Sequence, residues 1–382
     1  MIIWQNVQKV LVVRLRSIGD TVLSTPSLIA LRRFLPNAQI DILLEDWVAP
    51  VLDGFGAVNN VLTISKDIKD RIKIAREIRK EKYDVAFNLH GGTTATFLIR
   101  ASGAKHRVGY KNYQYSFLYN HLLTSATDFW QKEQTHSAER QLALLGFVGV
   151  PVKDRPKTQL SVTEESLKSL ESKLEKDFKF QISNFRKEIK DQRPKTKDQI
   201  SKNQSQIANR KLKIALFHPV AAFDTKQWAT ENFARIAEFL SEKGFQTVAV
   251  ATKKEREILN KLEKISKVPI LTFDDLTLPE ITALASQAKL FVGNDSGIAH
   301  IAAAVQTPSV VIFGSSNRDH WRPWTDAPHE IVYEKFHCQP CAGYICKEFG
   351  EPKCILSVKT ESVIEAIEKV LTIKSIHKSN YN

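Results

Sequence analysis

Short apolar runs alternate with amphipathic stretches along most of this chain. Lys9 to Leu15 is an apolar run of strand length, and a helical pattern follows to Phe34, where Pro36 stops it. Gln39–Leu44, Asn60–Ile64, Tyr83–Leu89 and Arg107–Tyr110 read as further strands, with helices at Lys69–Lys80 and Thr94–Ala101 between them. Phe129 to Gly146 reads as one helix with Gln131, His136, Glu139 and Arg140 near one side. The alternation restarts at Leu212–Phe217. Helices follow at Thr230–Lys243 and Lys253–Ile265, and strands at Gln246–Ala251, Leu290–Val292 and Ser309–Phe313. An Ala-rich helix over Ile298–Val305 and an amphipathic one over Glu361–Leu371 complete the series. Strands alternating with helices predict an α/β chain with parallel sheets covered on both faces.

Between the two series the composition changes. Lys168 to Lys213 holds 14 Lys and Arg, 6 Asp and Glu, and few large apolar residues. Glu164–Phe180 reads as a charged surface helix. Arg186–Arg210 is too polar to bury a core and reads as a flexible insertion. The pattern therefore divides the chain into 1–163, 164–211, 212–358 and 359–382. The 382 residues carry a net charge of +13, which favours an anionic partner. A nucleic acid is not expected, because no aromatic residue lies between Lys187 and Lys213 to stack on bases. No run reaches the ~18 apolar residues of a membrane span, and the N-terminus does not have a signal-peptide pattern, so a cytoplasmic location is expected.

Three clusters carry candidate chemistry. Arg14, Arg16, Ser17, Gly19 and Asp20 follow the first strand. Pro26 suits a first helical turn, so a helix starting near Thr25 would leave Asp20 in a loop; alternatively, Asp20 caps a helix kinked at Pro26. The second cluster runs from His218-Pro219 to Lys226-Gln227-Trp228, with one loop lysine suited to a diphosphate. The third is Asn294-Asp295-Ser296-Gly297 with His300. There a strand meets a helix whose N-terminal N–H groups can hold phosphate, and Gly297 allows close approach to the backbone.

These clusters, in this order with Asn88-Leu89-His90, Phe313-Gly314-Ser315 and a trailing group of cysteines, resemble glycosyltransferase family 9, the ADP-heptose:lipopolysaccharide heptosyltransferases. The resemblance implies the GT-B fold, two Rossmann-like domains whose parallel sheets face each other across a cleft. It implies an acceptor on the N-terminal domain and a nucleotide sugar on the C-terminal one. Asp20 would be the general base, with Arg16, Ser17, Gly19 and His90 on the acceptor side. Lys226 and the backbone of Ser296 and Gly297 would hold the diphosphate, Asp295 and His300 would line the donor pocket, Leu276 would pack on the base and Glu255 would lie near the ribose. Ser296 stands where the family often has Thr, and Ala221 and Ala222 stand where small hydroxyl residues often precede the lysine.

The implied reaction is inverting and metal-independent, needs no cofactor, and moves heptose or a related sugar to a phosphorylated glycolipid of the lipopolysaccharide core. It also implies peripheral contact with the cytoplasmic face of the inner membrane. The rival readings are a GT-B-like sugar-nucleotide epimerase and a non-enzymatic basic protein that binds an anionic polymer or surface. Cys338, Cys341, Cys346 and Cys354 are either a structural metal site or four packed thiols.

Overall fold

The structure, a computed structural model, describes residues 2–175, 213–341 and 343–379. The insertion expected at Arg186–Arg210 lies outside the described residues. Twelve strands form two six-stranded sheets, parallel throughout. The first holds β1 (Lys9–Val13), β2 (Gln39–Glu45), β3 (Asn60–Ile64), β4 (Val85–Asn88), β5 (His106–Tyr110) and β6 (His121–Leu123) in the order β3-β2-β1-β4-β5-β6. The second holds β7 (Lys213–His218), β8 (Phe245–Val250), β9 (Ile270–Phe273), β10 (Leu290–Asn294), β11 (Ser309–Phe313) and β12 (His329–Tyr333). Its order, β9-β8-β7-β10-β11-β12, repeats that of the first. Each sheet reverses its winding once, between β1 and β4 and between β7 and β10. The crevice beyond the strand carboxyl ends at such a point is where doubly wound sheets bind ligands.

Both faces of each sheet are buried. Along β1, Val10 and Val12 join one apolar cluster while Leu11 and Val13 join another, the period-two signature of a strand covered on both sides. The cluster on the Val10 face runs on into the second sheet through Leu216, Val248, Phe291 and Val311, so the two halves share a core. The opposite face of the second sheet packs on the helices Thr230–Glu242 and Thr360–Ser379.

Three expectations are corrected. The helix read over Phe129–Gly146 is two helices, Ala126–Trp130 and Ser137–Phe147. Gln131 ends the first in the left-handed region (φ 52°), and His136 starts the second by accepting from Ala138 N while Glu139 reaches back to the His136 N–H. The helix over 164–175 is more than a charged surface helix. Leu170 is buried, and Ser169 and Lys173 bond to Glu280 of the C-terminal half at 2.6 and 3.0 Å. The edge strands β6, β9 and β12 and the helix Leu278–Gln287 were not in the sequence reading.

A tryptophan anchors the C-terminal half to the N-terminal one. Trp324 is 8% exposed, donates from Nε1 to Pro156 O at 2.8 Å and accepts from Thr158 Oγ1 at 2.8 Å. Its ring stacks on His136 with centroids 4.6 Å apart. His136 accepts at Nδ1 and donates from Nε2 to Arg322 O at 2.8 Å, so the ring is neutral. Burial pushes its pKa down to about 3.

Two outcomes follow from this junction. Trp324→Ala should lower the unfolding free energy by about 3–5 kcal/mol, the usual cost of emptying a large aromatic site, read from urea denaturation. A change within error would mean the junction contributes little. The unfolded His136 takes up a proton below about pH 6.5, whereas the folded ring does so only near 3, so stability falls as pH drops through that window. The slope from this group is at most about 1.4 kcal/mol per pH unit, and His136→Gln should remove it. Parallel pH profiles for the two proteins between pH 6.5 and 4 would refute the assignment.

Candidate active site

The N-terminal contribution grows from the carboxyl ends of β1 and β4. Arg14 leaves β1 buried; its guanidinium donates to Leu89 O and pairs with Asp20. Ser17 donates from Oγ to the other Asp20 oxygen at 3.0 Å. Asp20 thus lies within a short helix, Ile18–Val22, and closes a capping box with Ser17. This corrects the expected loop position, although the longer helix does begin at Thr25 with Pro26 in its first turn. The two are separate helices rather than one helix kinked at Pro26.

After β4, Asn88 Oδ1 accepts from the backbone of His90 and Gly91 at 2.9 and 2.8 Å, which fixes the turn. The His90 ring faces Arg14, Asp20 and the exposed Arg16. Burial, then the Arg14 charge, pushes its pKa down to about 4, against the pull of Asp20. Its Nδ1 is buried without a partner.

The C-terminal contribution grows from β7 and β10. Trp228 is fully buried, donating from its backbone to Asn294 Oδ1 at 3.1 Å and from Nε1 to Val358 O at 2.9 Å. Gln227 bonds to Ala221 N and Pro219 O, so the loop after β7 is braced along its length. Lys226, at the end of a short turn, pairs with Asp295 at 2.8 Å, and Ser316 donates to the same carboxylate oxygen at 2.5 Å. The lysine is therefore an ion-paired group.

Ser296 occupies the cap position of the helix Gly297–Ala304, but its side chain makes no cap bond. Its hydroxyl instead shares a 3.0 Å hydrogen bond with His218 Nδ1. Among the described residues the first N–H groups of that helix have no side-chain acceptor. Burial pushes the His218 pKa down to about 4, and Glu255 opposes this. Glu255 is engaged in capping Thr252, at 3.0 Å from its N–H and 2.7 Å from its hydroxyl. Leu276 packs half-buried on the shared core.

The two contributions meet where the helices Ile18–Val22 and Gly297–Ala304 cross. A Cβ on Gly297 would lie 2.9 Å from Ile18 Cβ, and one on Gly19 would lie 2.7 Å from His300 Cδ2. Gly19, expected on the acceptor side, is thus buried in the crossing. His300 is buried beside it, within the fields of Asp295 and Asp20, one carboxylate from each half. Burial lowers its pKa and both carboxylates raise it; its Nδ1 has no partner.

His320 and Ser316 were missing from the predicted site, and Arg14 stood in the first cluster without a role of its own. His320 donates from Nδ1 to Thr135 O at 2.9 Å and feels Arg140, Asp20 and Arg14, which places it at the same opening. Its sequence signal was slight: a histidine in the short helix Arg318–Trp321, soon after β11. Cys338, Cys341, Cys346 and Cys354 are free thiols. Burial, then the charges of Cys341, Cys338 and Cys346, raises the Cys354 pKa. Among the described residues no group of three or more His, Cys, Asp or Glu side chains is disposed to hold a metal ion. The segment they lie in props the lysine loop: Thr225 donates to Gly343 O at 3.0 Å, and the Phe223 and Tyr344 rings meet at 4.4 Å.

The profile of glycosyltransferase family 9 (heptosyltransferase) matches residues 71–350. Lipopolysaccharide heptosyltransferase 3 of Escherichia coli K12 is 27% identical over 374 residues, covering 92% of this chain and 95% of that protein. A family 9 glycosyl transferase structure from Veillonella parvula superposes with a TM-score of 0.75 at 19% identity, over 96% of this chain and 97% of the other. The structure of E. coli ADP-heptose lps heptosyltransferase II gives 0.72 at 21% identity, over 96% and 100%. The two facing parallel sheets are those of the GT-B fold, and the chain belongs to glycosyltransferase family 9 and is a glycosyltransferase.

Proposed function

We propose that this chain moves a heptosyl group from ADP-heptose to a lipopolysaccharide core acceptor, with inversion and without a catalytic metal ion. The observation that carries the reading is the meeting, across one glycine crossing, of Asp20 with the open helix terminus at Gly297 and the Lys226–Asp295 pair. The names of the similar proteins support heptose, ADP and lipopolysaccharide as the chemical class.

In this reading the acceptor hydroxyl lies beside Asp20 with His90, Arg16 and Ser17 near it. Its oxygen attacks the anomeric carbon from the face opposite the diphosphate. The bond from that carbon to the diphosphate oxygen breaks, its electron pair leaves with ADP, and the hydroxyl proton passes to Asp20. Lys226 and the N–H groups of the Gly297 helix take up the charge that develops on the diphosphate, an electrostatic task that fixed donors perform without reorganising. Asp295 holds Lys226 in place until the donor arrives, and His300 lies between the donor and acceptor sides. Arg14 and Ser17 orient the Asp20 carboxylate. Leu276 and Glu255 remain the weaker donor contacts, toward the base and the ribose. The enzyme works at the cytoplasmic face of the membrane that carries its acceptor; among the described residues no helix is long and apolar enough to cross one.

Incubation with ADP-heptose, with and without core acceptor, tests the reading. Acceptor-dependent ADP release supports it. Isomerisation of a sugar nucleotide without acceptor would favour an epimerase, and no turnover at all would favour a basic binding protein. A thermal-shift screen against ADP-, UDP-, GDP- and CMP-sugars tests the base.

Asp20→Asn should leave ADP affinity unchanged and lower turnover by roughly 10²-fold, the scale of losing a general base. Turnover near wild type would reduce Asp20 to a cap.

Lys226→Ala should weaken ADP binding by roughly 5- to 150-fold, the equivalent of about 1–3 kcal/mol of charge-assisted contact, and less so at high salt. It should also lower stability, because Asp295 is left buried with Ser316 as its remaining partner. Lys226→Ala with Asp295→Asn should regain stability but not affinity. If titration calorimetry finds equal ADP affinity in Lys226→Ala and wild type, the lysine is not part of the donor site.

A further inference from the structure

We infer that the outer face of the helices Ile68–Lys80 and Thr93–Ala101 is a docking surface for an anionic lipid bilayer. Single exposed apolar side chains are ordinary, whereas contiguous ones mark an interaction site. Here they gather. Ile68 (72% exposed), Ile72 and Phe97 line an open groove of about 890 Å³ between the two helices, with Ala75 and Leu98 in its floor. From Phe97 the apolar surface continues through Tyr115, ring centroids 5.3 Å apart, to Phe117, 6.2 Å further and 77% exposed.

The helix Ile68–Lys80 explains how this arises. Ile74 and Ile78 face the core at i, i+4 spacing, while Ile68 and Ile72, also at i, i+4, form a second apolar stripe that faces solvent and continues into the groove at the partly buried Ala75. A helix folding only for its own half would need one stripe.

The charge around the stripe is one-sided. The helix carries Lys69, Arg71, Lys73, Arg76, Arg79 and Lys80 against Asp70 and Glu77. Asp70 is tied to Ser65 N at 2.6 Å, and Glu77 pairs with Lys73. Four of the cations, Arg71, Arg76, Arg79 and Lys80, line the groove itself. Apolar side chains flanked by long cations are the pattern of a helix lying in a membrane interface: the rings and isoleucines enter the acyl boundary while the cations reach lipid phosphates. A nucleic acid would use the aromatic rings but leave Ile68 and Ile72 in water.

The position suits the task. The helix Thr93–Ala101 starts at Gly92, just after His90, and Phe97 lies within its second turn, ~8 Å along the axis. A bilayer seated here would hold a lipid-anchored acceptor beside the candidate acceptor side. This purpose rests on the proposed glycolipid acceptor, although the binding test does not.

The test uses the full chain and co-sedimentation with vesicles of phosphatidylcholine alone or of equal parts phosphatidylcholine and phosphatidylglycerol. Wild type should bind the anionic vesicles at least tenfold more tightly than the neutral ones, and less so in high salt. Ile72→Glu with Phe97→Glu, and separately Arg76→Glu with Lys80→Glu, should each lose tenfold or more of that binding. All four side chains are exposed, so the variants should fold, checked by circular dichroism. Transfer to a short soluble acceptor should be unchanged, whereas transfer to acceptor held in anionic vesicles should fall.

Equal binding to both vesicles, or variants that bind like wild type, would overturn the assignment. So would a wild-type dimer in sedimentation velocity that the variants disperse, since the face would then belong to a second copy. Vesicle binding without any transferase activity would sink the proposed function and leave the surface standing.

Discussion

In a parallel sheet every strand delivers its carboxyl end to the same edge, and everything chemical in this protein depends on that constraint. The two sheets share one winding order, so each opens a crevice between its first strand and the strand that starts the reversed half. Asp20 and His90 leave β1 and β4; His218, Lys226 and the Asp295–His300 turn leave β7 and β10. Four strand ends, two from each sheet, therefore supply the core of the candidate site, and helices and loops set the side chains.

Around that frame the polar groups hold one another in place. Arg14 grips Asp20 and the carbonyl of Leu89; Asp295 holds Lys226 and takes the Ser316 hydroxyl; Ser296 turns from its own helix to His218. Partly buried charges are costly unless paired, and the charged groups here pair with one another. In the proposed reading, a diphosphate would share or displace Asp295 at Lys226. The three histidines at the opening, His90, His300 and His320, are all driven toward the neutral form by burial despite the nearby Asp20.

Much of this was legible in the sequence because it is local. The apolar runs at Val10–Val13 and Leu290–Val292, the turns after them and the helix after Ser296 all announce themselves within a few residues. What failed was non-local or short. β6 and β9 offer three and four residues, too few for a period to emerge. The break at Gln131 depends on one left-handed residue, and a capping histidine is an uncommon signal. The Lys226–Asp295 pair leaves no local signal, because the partners lie 69 positions apart. Asp20 could be read as a loop residue or a cap, because Pro26 marks the second of two helices and nothing marks the first. The S/T-x-x-E spacing of Thr252 and Glu255 is a local signal for the capping bonds that Glu255 makes.

The crossing of Gly19 and Gly297 also constrains how such a chain can change. Each position is closed by backbone or side-chain atoms that belong to the other half: Ile18 and Gly19 over Gly297, His300 over Gly19. A side chain acquired at Gly19 therefore has to be answered by lost volume at His300, and one at Gly297 by lost volume at Ile18, in each case in the other half of the chain. Two codons with no local relation are bound into a single steric unit, and drift at either is arrested unless both halves shift together.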